Sequence, residues 1–421
     1  MSQKKLFQSF SQIIIRSSTA MCNRSYARWV HRKPAKVLLP YENTKVDLKK
    51  EKIIDLDPST MKNNQTEGFP KSSVINSELK EPSPKFSKEK CKEITEQRQD
   101  KIKRREFYLN QQKVFNENNE IMYEKLKGND GRVSTLLVKS KSKKDRARSG
   151  LSLVEGWRLI ADGLQADCKL KYIIFSRLDD LYKIRPFLPT GGVKIYKIPY
   201  KDIEMWSDVE TSPGIFGIFE TPTPGNIKKK SNTIPLNFIC DNIRVPGNLG
   251  AILRAAMGVG CEKVLLTKGC VDLWDPKVIR SAAGAHFRVP IYPSIEWNEM
   301  PEHTRPESAI FIADSNPKNT VEDSHDSLAS TIPVLPYYGV DYSTFSHSTL
   351  IIGGETEGIS EDSYEFASSR NGLRLNIPLI EGVDSLNTGM ATAVIACEIK
   401  KQFVQAWSKM KKEKVEAELN T

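Results

Sequence analysis

Residues 242–260, NIRVPGNLGAILRAAMGVG, follow the apolar run LNFIC at 236–240, and their reading decides the fold. A short, continuous apolar run bounded by turn residues reads as a strand buried on both faces. Pro246 and Gly247 then break the chain. After them Leu249, Ile252, Leu253 and Ala256 recur at i, i+3, i+4 and i+7, which places one apolar stripe along a helix. A buried strand, a polar loop and an amphipathic helix make the repeating unit of a parallel α/β sheet. Asn248 stands at the expected helix start, where its side chain would cap free backbone N–H groups. Arg254 falls off the apolar stripe.

Working outward, the runs KVLLT, AIFIAD, TLIIGG and LRLNIPL alternate with helical segments from residue 234 onward, so the expectation is a doubly wound sheet. Two of these strands end in further polar loops. Residues 351–360, IIGGETEGIS, carry Gly353 and Gly354, where a backbone can approach a ligand that any Cβ would obstruct. The GxxxxGK[ST] and GxGxxG spacings are absent, so this is neither a phosphate loop nor a dinucleotide fingerprint. Residues 375–397, LNIPLIEGVDSLNTGMATAVIAC, end a strand near Ile377-Pro378-Leu379 and open a long helix at Ser385-Leu386-Asn387, with Ser385 as its expected cap. Leu386, Met390, Val394 and Cys397 share one face of that helix, and Cys240, Cys261 and Cys397 read as small core residues. The stretch from Ile295 to Phe345 is long for its strands and is expected to contain a surface insertion.

In order and approximate spacing the three segments resemble the signature motifs of the SpoU/TrmH family of RNA ribose 2'-O-methyltransferases, of the SPOUT class, with the mitochondrial large-subunit rRNA members most alike. The resemblance implies a parallel sheet with a C-terminal trefoil knot. It implies S-adenosyl-L-methionine as methyl donor, without metal. Asn248, Arg254, Glu355, Ser385 and Asn387 match the catalytic positions, and Gly353, Gly354, Ile377, Pro378 and Leu386 match the cofactor pocket. Thr356 stands where many members have Gly. Arg254 matches the residue that contacts the target ribose and its phosphate; a guanidinium stays protonated at neutral pH, so its first expected part is to stabilise charge on the 2'-oxygen, the alternatives being proton removal by Arg254 itself and proton handover through the RNA phosphate. The segment 280–285, RSAAGA, resembles a family loop facing the RNA, while His286 beside it reads as a core or surface histidine.

Upstream, residues 149–225 form shorter elements: a helix-like LSLVEGWRLIADGLQ and strands YIIF, VKIYKI and GIFGIFE. LVEGWRLIADGL and TSPGIFGIF resemble the small, ribosomal-protein-like α/β domain that binds substrate RNA in many SpoU enzymes. Pro222, Pro224, Gly225 and Lys228–Lys230 read as the linker to the methyltransferase domain at 234–410, with 411–421 as a tail. Residues 106–148 are a charged, basic extension whose Lys139, Lys141, Lys143, Lys144, Arg146 and Arg148 are candidate RNA contacts. Residues 42–105 lack the apolar content to fold and read as a disordered linker, its end overlapping a charged stretch from Glu93 to Lys127 that also reads as helical. The first 41 residues hold eight Lys or Arg, six Ser and no Asp or Glu. This is the composition of a mitochondrial transit peptide. Their apolar run is broken by Gln12 and Arg16, too short for a membrane span.

Over the whole chain Lys and Arg outnumber Asp and Glu by 63 to 52. That balance favours a polyanionic partner. Seven Cys and five His are scattered without CxxC or ligand spacing, so neither a metal site nor a disulfide framework is expected. The resemblance therefore implies a matrix enzyme that methylates a guanosine or uridine ribose of mitochondrial large-subunit rRNA in the precursor ribosomal subunit, as a homodimer. The alternatives are a non-catalytic rRNA-binding assembly factor and a tRNA ribose methyltransferase with the same motifs.

Overall fold

The computed structural model describes residues 88–228, 232–314, 328–355 and 357–419. The transit segment, the linker up to residue 87, Thr356 and the centre of the expected insertion at 315–327 lie outside the described residues.

A helix, α1 (Lys88–Asn110), opens the described chain; it takes up part of the charged stretch from Glu93 to Lys127 that also reads as helical, and it starts five residues earlier, inside the stretch expected as linker. Its last turn, already within the expected extension, buries Leu109 against the small domain. The extension is likewise folded. Strand β1 (Glu124–Lys125) and helices α2 (Gly131–Lys141) and α3 (Lys143–Ser149) lead into β2 (Leu151–Glu155). Val133, Leu136 and Leu137 of α2 are buried against Leu151, Ile174 and Phe216.

The helix expected over 151–165 is instead β2 followed by α4 (Trp157–Gln165), divided at Gly156, whose φ of 99° lies in a region that glycine tolerates. Then come β3 (Leu170–Phe175), α5 (Leu178–Ile184), β4 (Lys194–Lys197), α6 (Tyr200–Trp206) and β5 (Ile215–Glu220). These strands form a mixed sheet in the order β1-β4-β3-β5-β2, with β5 antiparallel to both neighbours.

The C-terminal domain is built on a second sheet in which every pairing is parallel. Its strands are β6 (Leu236–Asp241), β7 (Lys263–Thr267), β8 (Ile291–Ile295), β9 (Ala309–Ala313), β10 (Val334–Pro336), β11 (Ser348–Gly353) and β12 (Leu373–Asn376). Their order is β10-β12-β9-β11-β6-β7-β8. The short, Pro-containing β8 and β10 escaped the apolar-run reading. Helices α7 (Pro246–Val259), α8 (Pro276–Ala282), α9 (Glu361–Ser368) and α10 (Thr388–Leu419) cover the sheet. The stripe of α7 reads correctly, because Leu249, Ile252, Leu253 and Ala256 are fully buried. Each such side chain contributes about 1.5–3 kcal/mol of transfer free energy, Ala256 less.

Helix α10 differs from its expectation in three ways. It continues through the expected tail to Leu419. It starts at Thr388, with Asn387 as its cap, since the Asn387 side chain accepts from Gly389 N at 3.0 Å; Ser385 lies two residues before it in the loop. Its core face is Thr392, Ile395, Ala396, Ile399 and Phe403, while Met390 is 60% exposed and Val394 and Cys397 are also exposed. The helix is apolar on two sides, and packing against α7 chooses the other one. Cys240 and Cys261 are buried as expected.

Candidate active site

Three loops leave the C-terminal ends of parallel strands on one edge of the second sheet, the usual position of a binding crevice in an α/β fold. The loop after β6 begins at Asp241, a buried carboxylate that accepts from Ser360 N at 2.7 Å and Ser363 Oγ at 2.8 Å. This fastens the far end of the β11 loop. Within that loop Gly354 and Gly358 exchange backbone hydrogen bonds at 3.1 and 2.9 Å. A Cβ on Gly353 would lie 2.7 Å from the Gly358 carbonyl carbon, and one on Gly354 would lie 2.8 Å from Asn242 O, so only glycine closes the turn here.

Asn248 is not the cap of α7. The helix begins two residues earlier at Pro246, whose ring presets the first helical φ, and Asn248 is its third residue, 7% exposed. Its Nδ2 donates to Glu355 Oε2 at 2.8 Å, and its Oδ1 accepts from Asn387 Nδ2 at 2.9 Å. One amide therefore joins residues from all three sequence motifs, and Asn387 passes the connection on to the first turn of α10.

Beside this junction is a cavity of about 380 Å³ lined by Gly353, Gly354, Ile377, Leu386, Glu355 and Ser385 among others. Of the residues expected at the site, Asn248, Asn387, Pro378 and Arg254 are not on its wall; the two asparagines reach it only through Glu355 and the start of α10. Ile352, Ile359, Leu375 and Leu379 supply more apolar surface, and the wall carries Asp314, Glu355 and Glu357 but no Lys or Arg. An apolar slot with backbone edges and acidic rather than basic side chains fits a nucleoside bearing a cationic group. The acids are held in place: Glu357 pairs with Arg244, and Asp314 accepts from Arg374 Nε at 2.8 Å and from Tyr364 Oη at 3.1 Å. Burial first, and then the Asp314 carboxylate, pushes the Tyr364 hydroxyl up to about 12, so it stays a neutral donor. Sequence reading missed Asp241, Asp314, Tyr364 and Arg374. The available signal was an acidic residue ending an apolar strand, in LNFICD and AIFIAD.

Arg254 is exposed and has no hydrogen bond or ion pair among the described residues. On α7 it lies between Ala251, which packs on Gly389, and Gly258, whose carbonyl accepts from Lys400 Nζ at 3.0 Å. It therefore flanks the seam between α7 and α10. His286 is a core residue: it is buried, its Nε2 lies 2.7 Å from Leu273 O, and it packs against Trp274.

The basic cluster is only partly available. Lys139, Lys143, Lys144 and Arg148 are exposed, and Lys141 pairs with Asp208 at 2.7 Å. Arg146, expected to contact RNA, is instead 7% exposed and pairs with Asp272 of the other domain, a partner that only the fold brings near.

A model of the SpoU rRNA Methylase family matches residues 235–397. Mitochondrial rRNA methyltransferase 3 of Mus musculus is 38% identical over 315 residues, covering 67% of this chain and 75% of its own. The chain belongs to the SpoU methylase family. Mitochondrial rRNA methyltransferase 3A of Danio rerio is 29% identical over 438 residues, covering 97% of this chain and 95% of its own. The solved SpoU methyltransferase AviRb of Streptomyces viridochromogenes, in complex with AdoMet, superposes with a TM-score of 0.54 at 20% identity, covering 65% of this chain and 98% of its own. That likeness shows the fold. The SpoU match runs from the start of β6 into the first third of α10 and so takes in all three loops of the site.

Proposed function

We propose that this SpoU protein transfers a methyl group from S-adenosyl-L-methionine to a ribose 2'-hydroxyl of mitochondrial large-subunit rRNA. The observation that carries this reading is the Asn248 amide bridging Glu355 and Asn387 beside a pocket edged by Gly353 and Gly354. Gly353, Gly354, Ile377 and Leu386 would hold the cofactor, which when bound would supply an electrophilic methyl. Asn248 and Asn387 hold Glu355 at the rim, and the pocket walls exclude water. Arg254 lies off this pocket's wall, beside the seam of α7 with α10, so in the homodimer proposed below it serves RNA whose target ribose enters the other protomer's pocket. There it attracts the substrate phosphate and stabilises charge on the 2'-oxygen, and the rate comes from positioning and electrostatics. Ser385 contributes a hydroxyl to the same wall, and Pro378 shapes the strand exit that presents Ile377.

In this reading the first 41 residues direct the chain to mitochondria, the names of the relatives being consistent with that compartment. The small domain docks the RNA, with Lys139, Lys143, Lys144 and Arg148 contributing charge, and the loop after β12 closes a trefoil knot. The enzyme is a homodimer, and the exposed apolar side chains Met390 and Val394 on α10 support such an interface. The target base is a guanosine or uridine. The deciding experiment measures methyl incorporation from labelled S-adenosylmethionine into mitochondrial RNA and maps the product. Wild type is expected to modify one large-subunit rRNA position and Arg254→Ala none, with cofactor binding and thermal stability retained. Modification of tRNA, or rRNA binding without methyl transfer by wild type, would overturn the assignment.

A further inference from the structure

We propose that the groove between the two domains holds the single-stranded RNA segment adjoining the methylated ribose, with its phosphates on Arg158, Lys277 and Arg280. This rests on the methyltransferase reading above. The groove encloses about 400 Å³ between the turn after β2, the loop before β5 and helix α8. Arg158, Lys277 and Arg280 are all exposed, and none has a carboxylate partner among the described residues. The Arg158 guanidinium is held over the Trp157 ring at 5.3 Å, and Lys183 Nζ lies 5.6 Å from the same ring. A guanidinium backed by an indole is already oriented for bidentate phosphate contact.

The two acids on the groove wall are turned to partners on the small-domain side. Glu155 takes hydrogen bonds from the Ser207 hydroxyl, from Ser212 Oγ at 3.5 Å and from Asp208 N at 3.4 Å, and Asp208 pairs with Lys141. With Asp208 neutralised by Lys141, Arg158, Lys277 and Arg280 face the groove against Glu155 alone, and this positive excess suits a polyanion.

Continuity with the site favours RNA over an acidic protein segment. Ser281, next to Arg280, donates from Oγ to Gly247 O at 2.9 Å, and Gly247 immediately precedes Asn248. A strand lying across Arg280 thus continues onto the first turn of α7. The walls are held rigidly, because Ile279 and Phe287 of the C-terminal domain enter the core of the small domain, with Phe287 5.3 Å from Phe219. Such a groove takes an unpaired strand, as does a ribose that must be reached outside a helix.

The test uses the full-length protein and an in vitro transcript of mitochondrial large-subunit rRNA, titrated across salt, with S-adenosylmethionine affinity measured separately. The Arg158→Ala/Lys277→Ala double variant is expected to lower the log–log salt slope by about 1.4, at about 0.7 per single-strand phosphate. It should also raise KM for RNA while leaving kcat, melting temperature and cofactor affinity unchanged. A wild-type slope and KM in that variant would overturn the proposal and leave the groove to an acidic protein segment. Loss of the slope only in the Lys139→Ala/Lys144→Ala/Arg148→Ala variant would overturn it in favour of the basic cluster. Wild-type protein that binds no rRNA would bring down the methyltransferase reading and the groove with it.

Discussion

Asn248→Ala removes one donor and one acceptor from the centre of the site, and its consequence can be worked from two distances. The lost bonds are Nδ2 to Glu355 Oε2 at 2.8 Å and Asn387 Nδ2 to Oδ1 at 2.9 Å. A hydrogen bond to a charged partner contributes about 1.5–3 kcal/mol and a neutral one about 0.5–1.5 kcal/mol. Glu355 and Asn387 are exposed, so water can take the vacated positions and the fold loses on the order of 1 kcal/mol. The geometry of the rim is lost in full. If the charged bond alone is expressed in the transition state, kcat/KM falls by about 10- to 150-fold, at about 1.36 kcal/mol per tenfold. Asn248→Asp keeps the shape and the acceptor for Asn387 but sets two carboxylates against each other, so its loss should match or exceed that of Asn248→Ala. Adding Glu355→Gln reverses donor and acceptor and should recover part of the rate. The assay is single-turnover methyl incorporation into large-subunit rRNA, with cofactor binding by calorimetry and a melting curve for each variant. Wild-type turnover in either single variant would refute the reasoning, as would a rate loss that merely follows unfolding.

Two further outcomes follow from the core. Burial pushes the His286 imidazole down to about 4 from its ordinary 6.5, so between those values the unfolded chain binds a proton that the folded chain refuses. The stability associated with this group is complete above pH 6.5 and falls as the pH drops towards 4, by on the order of 3 kcal/mol; urea midpoints at pH 7 and pH 5 should show the slope, and His286→Phe should flatten it. Gly250 packs α7 on α8 so closely that an added Cβ would lie 2.7 Å from Ser281 Oγ and 2.9 Å from Ala282 N. Gly250→Ala should cost about 1–3 kcal/mol, seen as a melting temperature lower by several degrees, and adding Ser281→Gly should restore only part because the Ala282 backbone remains; an unchanged melting temperature would contradict the close approach.

The parallel sheet was legible because strands buried on both faces read as unbroken apolar runs, and LNFIC, KVLLT and TLIIGG all became strands of it. The close turn at Gly353 and Gly354 was legible for a related reason, since a Gly-Gly pair at a strand end lets the backbone turn where any Cβ would intrude. Residues 151–165 misled because LSLVE satisfies either period until Gly156 turns the chain. The caps misled because Pro246 moves the start of α7 two residues upstream, converting Asn248 from a cap into a bridge, and Asn387 takes the cap of α10 from Ser385. Arg146 misled because a local run of positive charge says nothing of Asp272, 126 residues away. The links of Asp241 to Ser360 and Ser363 span about 120 residues and leave no trace in local spacing.

The bond between Asn248 and Asn387 also bears on when the protein becomes an enzyme. The two residues are 139 positions apart. At roughly 5–20 residues per second of synthesis, about 7–28 s separate their appearance. Until the second emerges, the first motif has no partner for its acceptor, and α10 has no start against which to dock. Activity is therefore withheld until nearly the whole chain exists. A nonsense codon between the end of β12 at Asn376 and Asn387 would leave strands that pair and a pocket that never closes, so products shortened there are expected to be inert rather than partly active.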